Sequence, residues 1–116
     1  MTRTLLLVED HLASRRNLAL ALQQAHHTVY QTETGKTALT LIPTIDFNMV
    51  ISDFRLPGMT NGLDVLRQQK KKSPATRLVL VTAFGSREVQ REAEDLGASY
   101  IEKPFSFADL LSKIVA

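Results

Sequence analysis

The sequence predicts an α/β fold, a doubly wound five-stranded parallel sheet of order 2-1-3-4-5 with helices on both faces. Three observations carry this. Short runs rich in Val, Ile and Leu recur along the chain (Leu5-Leu6-Leu7-Val8, Met49-Val50-Ile51-Ser52, Leu78-Val79-Leu80-Val81), as strands buried on both faces do. Helix-like stretches separate them, and strand–helix alternation repeated five times implies a parallel sheet with right-handed crossovers. Each run also ends in a residue able to do chemistry: Glu9-Asp10, Asp53, Thr82 and, after Ser99-Tyr100-Ile101-Glu102, Lys103. Parallel strands present their carboxyl ends at one edge, where open α/β sheets bind ligands. The order 2-1-3-4-5 sets the first and third strands side by side at the switch point, which makes Glu9, Asp10 and Asp53 neighbours.

Taken in order, the first strand covers 5–8. A helix follows over 12–25, with Leu18, Ala21, Leu22 and Ala25 at helical spacing and Arg15, Arg16 and Gln23 elsewhere. Residues 28–31 form a short strand with Val29 between polar neighbours, the pattern of a sheet edge. Thr34-Gly35-Lys36 opens a second helix through Leu41-Ile42, and Pro43 closes it. The third strand is 49–53. Pro57-Gly58-Met59-Thr60-Asn61-Gly62 reads as a loop, and a helix over 63–72, apolar on Leu63, Val65 and Leu66, is broken by Ser73-Pro74. The fourth strand covers 77–81. Ser86 caps a helix over 87–96, and Gly97 ends it. A fifth strand over 98–102 leads through Pro104 to Ser106, which caps a last helix over 107–115. No repeat, linker or low-complexity segment interrupts the pattern.

Bulk properties narrow the function classes. A chain of 116 residues makes one domain, 1–116, with a single core. The absence of cysteine excludes disulfides and thiolate metal sites and permits a reducing, cytoplasmic setting, which is the expected location. The apolar run before Glu9-Asp10 is too short for a signal peptide, and no segment approaches a membrane span, so no membrane partner is expected. A net charge of +2 with a pI near 9.2 gives no argument for nucleic-acid binding. The basic run Lys70-Lys71-Lys72 falls at a predicted helix end, as a solvated face complementing the helix dipole. Histidines 11, 26 and 27 have no partner carboxylate at metal-ligand spacing, and no Gly-rich phosphate loop is present.

The strand ends suggest a chemistry. Three carboxylates converging in a cleft repel one another unless something positive sits between them. Their hard oxygens suit a divalent cation such as Mg²⁺, Lys103 supplies a second positive charge on a flexible stem, and Thr82 offers a hydroxyl to an anion. A carboxylate nucleophile, a charge-neutralising Mg²⁺, a lysine and a hydroxyl together describe phosphoryl transfer to an aspartate. Each residue alone has a plainer reading. Glu9-Asp10 can cap the next helix, Asp53 can be a loop-entry acid, Thr82 a strand-end residue, Lys103-Pro104 an exposed turn and Tyr100 a half-buried strand aromatic. Phe84, Phe105 and Phe107 read as packing residues. The functional reading rests on joint occurrence at one edge.

With Val8-Glu9-Asp10, Ile51-Ser52-Asp53-Phe54-Arg55-Leu56-Pro57-Gly58, Val81-Thr82-Ala83 and Glu102-Lys103-Pro104-Phe105, the chain from Leu5 to Val115 resembles a receiver domain of the two-component response-regulator family. The resemblance implies a flavodoxin-like fold and a phosphorylation-activated switch, not an enzyme on an external substrate, in a pathway of transcription regulation. It implies that Asp53 accepts a phosphoryl group from a sensor histidine kinase or phosphotransfer protein. Glu9, Asp10, Asp53 and the backbone carbonyl of Arg55 would hold Mg²⁺, Lys103 would pair with the phosphoryl oxygens, and Thr82 would move to hydrogen-bond them. Tyr100 stands where the family carries an aromatic that changes rotamer with the threonine, biasing the surface of helix 4, strand 5 and helix 5. Such a surface serves partners or a homodimer, and the resemblance leaves both open.

Two departures from the family pattern stand out. The stretch Gly58-Met59-Thr60-Asn61-Gly62 is one residue longer than usual, which alters the loop beside the site. Arg55 and Phe84 occupy the places two beyond the acceptor and the threonine, where related domains tune attack of water on the phosphoaspartate. A bulky Phe84 and a cationic Arg55 imply slow self-hydrolysis. Two other classes compete. A degenerate receiver acting only as an interaction module is disfavoured by the complete acid–threonine–lysine set. A small aspartyl-phosphate phosphatase would need a general acid where Arg55 stands, and Arg55 cannot donate a proton near neutral pH.

Overall fold

A computed structural model describes residues 3–115. Strands β1 (Thr4–Val8), β2 (Thr28–Thr32), β3 (Met49–Asp53), β4 (Arg77–Thr82) and β5 (Ser99–Glu102) pair in parallel in the order β2-β1-β3-β4-β5. Helices α1 (Leu12–Gln24), α2 (Gly35–Leu41), α3 (Gly62–Lys72), α4 (Arg87–Asp95) and α5 (Phe107–Val115) form the crossovers. The predicted fold class and strand order are both observed.

Side chains alternate across a strand, and the alternation splits the core into two layers. Leu6, Val8, Val50 and Leu80 face one way, against Leu63 and Leu66 of α3 and Ala93 of α4. Leu5, Leu7, Met49, Ile51, Val79 and Val81 face the other, against Ala19 and Leu22 of α1 and Leu110 of α5. Every residue of β3 is buried, as expected for a central strand covered on both faces. Burying a Leu, Ile or Val contributes roughly 1.5–3 kcal/mol, so the two clusters fix the sheet. The loops at its carboxyl edge are left to vary. β2 is the edge strand that its polar pattern implied.

The boundaries move where side chains take up backbone partners. β2 runs on to Thr32, because Thr32 is buried and its hydroxyl donates to the Leu7 carbonyl while its own carbonyl accepts from the Glu9 N–H at 3.0 Å. The cap of α1 is His11, whose Nδ1 accepts from the Ser14 N–H, so neither Glu9 nor Asp10 is used as a cap. α3 starts one residue earlier than expected, in a capping box between Asn61 and Asp64. The cap of α4 is Ser86, as expected; its helix stops at Asp95, with Leu96 as C-cap and Gly97 at φ 79°. Ser106 and Asp109 cap α5 reciprocally.

The lysine run is not a purely solvated face. Lys70 donates to the Leu96 carbonyl at 2.5 Å, and Lys72 to the carbonyls of Ile42 and Ile45 at 2.5 and 2.7 Å. These bonds tie the end of α3 to the ends of both neighbouring helices. Among the described residues, no helix is long and apolar enough to cross a membrane.

Candidate functional site

The strand register delivers the acids to one place. Val8 pairs with Ser52, and Asp53 pairs with Val81, so Glu9 and Asp10 emerge from β1 beside the end of β3. One carboxylate oxygen from each of Glu9, Asp10 and Asp53 lies within 4.8 Å of the others. Glu9 and Asp53 are buried, and Asp10 is exposed at the rim. The Lys103 ammonium reaches in from the end of β5, 2.7 Å from Glu9 Oε1 and 3.0 and 3.1 Å from the two oxygens of Asp53. Its own N–H donates to the Thr82 carbonyl at 2.9 Å, which anchors the lysine to the end of β4. The Lys103–Pro104 peptide is cis.

Crowding sets the electrostatics. Burial pushes the Asp53 carboxyl up to about 8, reinforced by its hydrogen bond with Glu9 and by the charge of Glu9, against the pull of Lys103. Burial also pushes Glu9 upward, but hydrogen bonds with Asp53, Lys103 and the His11 N–H outweigh it and hold Glu9 down at about 2. The Lys103 ammonium is penalised by burial, yet its hydrogen bonds to both carboxylates raise its pKa above the ordinary lysine value. The pair thus favours one proton between Glu9 and Asp53. A hard divalent cation binding the same oxygens would replace that proton, and the all-oxygen donor set fits Mg²⁺.

The cleft above Asp53 is also lined by His11, Arg55, Thr82 and Phe84 and encloses about 340 Å³. Thr82 is buried, with its hydroxyl oxygen accepting from the Phe84 N–H at 3.1 Å. The Arg55 guanidinium lies over the Phe84 ring, 5.2 Å from its centroid, although that ring is 70% exposed. A larger, mainly apolar groove of about 580 Å³ opens beside it between α1 and the β5–α5 loop, reaching Asp53 and Lys103.

Comparison with known proteins places this geometry. The family model for the response regulator receiver domain matches residues 5–115. The chain belongs to that family. The transcriptional regulatory protein CusR of Escherichia coli K12 is 33% identical over 111 residues, which is 95% of this chain and 48% of CusR. The chain thus spans about half the length of CusR and of the SilR regulator of Salmonella typhimurium, to which it is also 33% identical. Among solved structures, a CheY-like receiver domain protein of Methanospirillum hungatei JF-1 is 29% identical with a TM-score of 0.92, covering 99% of this chain and 92% of that one. The non-phosphorylated HemR receiver domain of Leptospira biflexa is 29% identical with a TM-score of 0.88, covering 97% and 91%.

Every site residue singled out in the sequence except Tyr100 therefore lies at the carboxyl edge of the receiver sheet. Lys103 contacts Glu9 and Asp53, Asp10 offers its carboxylate beside them, and Thr82, Arg55 and Phe84 line the same cleft. Tyr100 sits one strand away, paired with Leu80 and packed on the α3–α4 side of the sheet.

Three residues at the site escaped the sequence reading. Gly85 is one: a Cβ there would land on the Tyr100 hydroxyl, 2.8 Å from Cζ of that ring and 2.9 Å from Thr82 Cγ2. Gly62 is another, since its Cβ would run into the backbone carbonyl of Asp53. The third is Arg15, buried on α1 with Ala19 and Leu22. A signal for it existed. Positions 15, 19 and 22 follow the i, i+4, i+7 stripe, so Arg15 belongs to the inward face and not to the solvated one. In the longer loop Gly58 takes φ 85° and Met59 is fully exposed, before Gly62 seats on the Asp53 carbonyl.

Proposed function

We propose that this receiver is a phosphorylation-activated switch in which Asp53 accepts a phosphoryl group from a sensor histidine kinase or phosphotransfer protein, with Mg²⁺ held by Glu9, Asp10, Asp53 and the Arg55 carbonyl. The observation that carries the reading is Lys103, whose ammonium contacts Glu9 and Asp53 together while Asp10 stands within cation-sharing distance. In the transfer, an Asp53 oxygen bonds to phosphorus as the bond from phosphorus to the donor imidazole nitrogen breaks, and the imidazole leaves with a proton from solvent. A bound Mg²⁺ would neutralise charge on the transferring group. Lys103 then releases Asp53 and pairs with a phosphoryl oxygen, and the Thr82 hydroxyl donates to another.

The output follows from packing. A phosphoryl group adds charge and strong acceptors, drawing Thr82 toward the site and away from the spot it shares with Tyr100 above Gly85. The Tyr100 ring follows, which biases the surface made by α4, β5 and α5 between two states. That surface would act on a partner or a second copy of the chain in transcription regulation. The resemblance to transcriptional regulators supports this assignment. The apolar groove beside α1 gives the donor protein a path to Asp53. We place this activity in one receiver domain working in the cytoplasm, with no contact of its own to nucleic acid.

Intact-protein mass after incubation with Mg²⁺ and acetyl phosphate, wild type beside Asp53→Asn, tests the reading. A single Mg²⁺-dependent phosphoryl adduct is expected, absent from the variant. No adduct, with no change at the site on adding Mg²⁺ and beryllofluoride, would instead make the domain an interaction module independent of phosphorylation.

A further inference from the structure

We propose that Arg15 is a positioning residue for the cation site, locking the β1–α1 turn so that Asp10 faces Asp53. The inference rests on reading Glu9, Asp10 and Asp53 as cation ligands. Arg15 is 8% exposed and lies on the inward stripe of α1, where an apolar side chain would pack without the cost of burying a charge. What it does there is specific. Nη1 donates to the backbone carbonyl of Glu9 at 3.1 Å, and Nη2 to the Glu33 carboxylate at 3.3 Å. The first acceptor belongs to the peptide that joins Glu9 to Asp10.

Glu9 is thus held at three points: its N–H by the Thr32 carbonyl at 3.0 Å, its carbonyl by Arg15, and its carboxylate by Lys103 and the His11 N–H. Asp10 differs. It is exposed and makes no hydrogen bond or ion pair among the described residues. Its direction is therefore set by its backbone alone, and the peptide plane before it is fixed by Arg15. Glu33, its side chain mostly exposed, takes the far side of the guanidinium fork and favours the orientation that meets the carbonyl. A fork with five donors can hold two acceptors at once, which a lysine's single ammonium on a flexible stem does less well.

Mg²⁺ titration of the full chain, followed by backbone amide shifts of the β1–α1 turn, tests this well below the unfolding temperature. Wild type is compared with Arg15→Met and with Arg15→Lys, which keeps the charge and stem but loses the fork. The expected result is a Mg²⁺ dissociation constant raised about tenfold in Arg15→Met, as for partners that orient metal ligands elsewhere, and at least threefold in Arg15→Lys. Weakened packing alone would lower the melting midpoint and leave the affinity of the folded protein unchanged. Saturable binding in wild type with an equal dissociation constant in either folded variant overturns the proposal. Should wild type itself show no saturable Mg²⁺ binding, the cation-site reading fails first, and this inference with it.

Discussion

Removing the contact between Arg55 and Phe84 should shorten the life of the phosphorylated state. Both residues line the cleft over Asp53, and the guanidinium sits 5.2 Å from the ring centroid. Hydrolysis needs a water in line with the phosphorus–oxygen bond to Asp53, and this pair is expected to screen that approach at the cleft mouth. A cation–π contact at an exposed position contributes about 0.5–1 kcal/mol. With RT near 0.6 kcal/mol, that holds the covered arrangement about two- to fivefold over the open one. Phe84→Ser or Arg55→Ser should therefore raise the decay rate by about that factor. The double variant should gain little more, because either change alone already breaks the contact. The assay is intact mass against time after the phosphodonor is removed, in Mg²⁺. Unchanged half-lives in both single variants would refute the reasoning. So would rates in the double variant equal to the product of the singles, since the residues would then act without touching.

Three other substitutions probe the packing around the site. Gly85→Ala puts a methyl where the Tyr100 hydroxyl lies; the Asp53 adduct should still form, while beryllofluoride-induced amide shifts on α4, β5 and α5 shrink by more than half, and a full response would sink the coupling. Asp53→Asn removes a carboxyl that burial has already pushed up to about 8. In metal-free buffer it should stabilise the fold by about 1–2 kcal/mol, roughly 4–8 °C in melting midpoint for a chain of this size, and a lower midpoint would contradict the crowding argument. Gly62→Ala forces a Cβ to 2.8 Å from the Asp53 carbonyl carbon and 2.9 Å from Leu80 Cδ1. The clash with rigid backbone should cost about 2 kcal/mol or more, read as a midpoint lowered by some 8 °C, and a midpoint within 2 °C of wild type would show that the loop yields.

How much of this was legible in the sequence depended on whether the cause was local. That Glu9, Asp10, Asp53, Thr82 and Lys103 share one sheet edge followed from apolar runs and what ends them, and the order 2-1-3-4-5, chosen to set strands 1 and 3 at the switch point, made the acids neighbours. Capping at Ser86 and Ser106 was equally local. What was not legible depended on partners distant in sequence. Lys72 reads as one of three equivalent lysines until the carbonyls of Ile42 and Ile45 are seen beside it. Arg15 was grouped with Arg16 by charge, although helical period separates them, and its acceptors on Glu9 and Glu33 lie six and eighteen residues away. Gly85 and Gly62 matter for the atoms that occupy their missing side-chain space, which no sequence pattern displays.

The same alternation that builds the core also gives the proposed switch a short route from the sheet edge to the surface. Leu80 and Thr82 lie two apart on β4 and so point to the same face, and the register pairs Leu80 with Tyr100 across β5. Thr82 thus touches the acid cleft through its hydroxyl end and the space above Gly85 through its methyl. That space is where the Tyr100 hydroxyl rests. The proposed switch requires no chain of intermediaries: a Thr82 hydroxyl drawn toward a new anion would vacate volume beside the Tyr100 hydroxyl. β3, Val79, Leu80 and Val81 are buried, and a close-packed interior resists displacement. Beside them, the β4–α4 loop carries Phe84 and Gly85, and β5 is only partly buried. On the proposed reading, one loop would govern both how long a phosphoryl group survives, through Phe84 facing Arg55, and how its presence is reported, through Gly85 facing Tyr100.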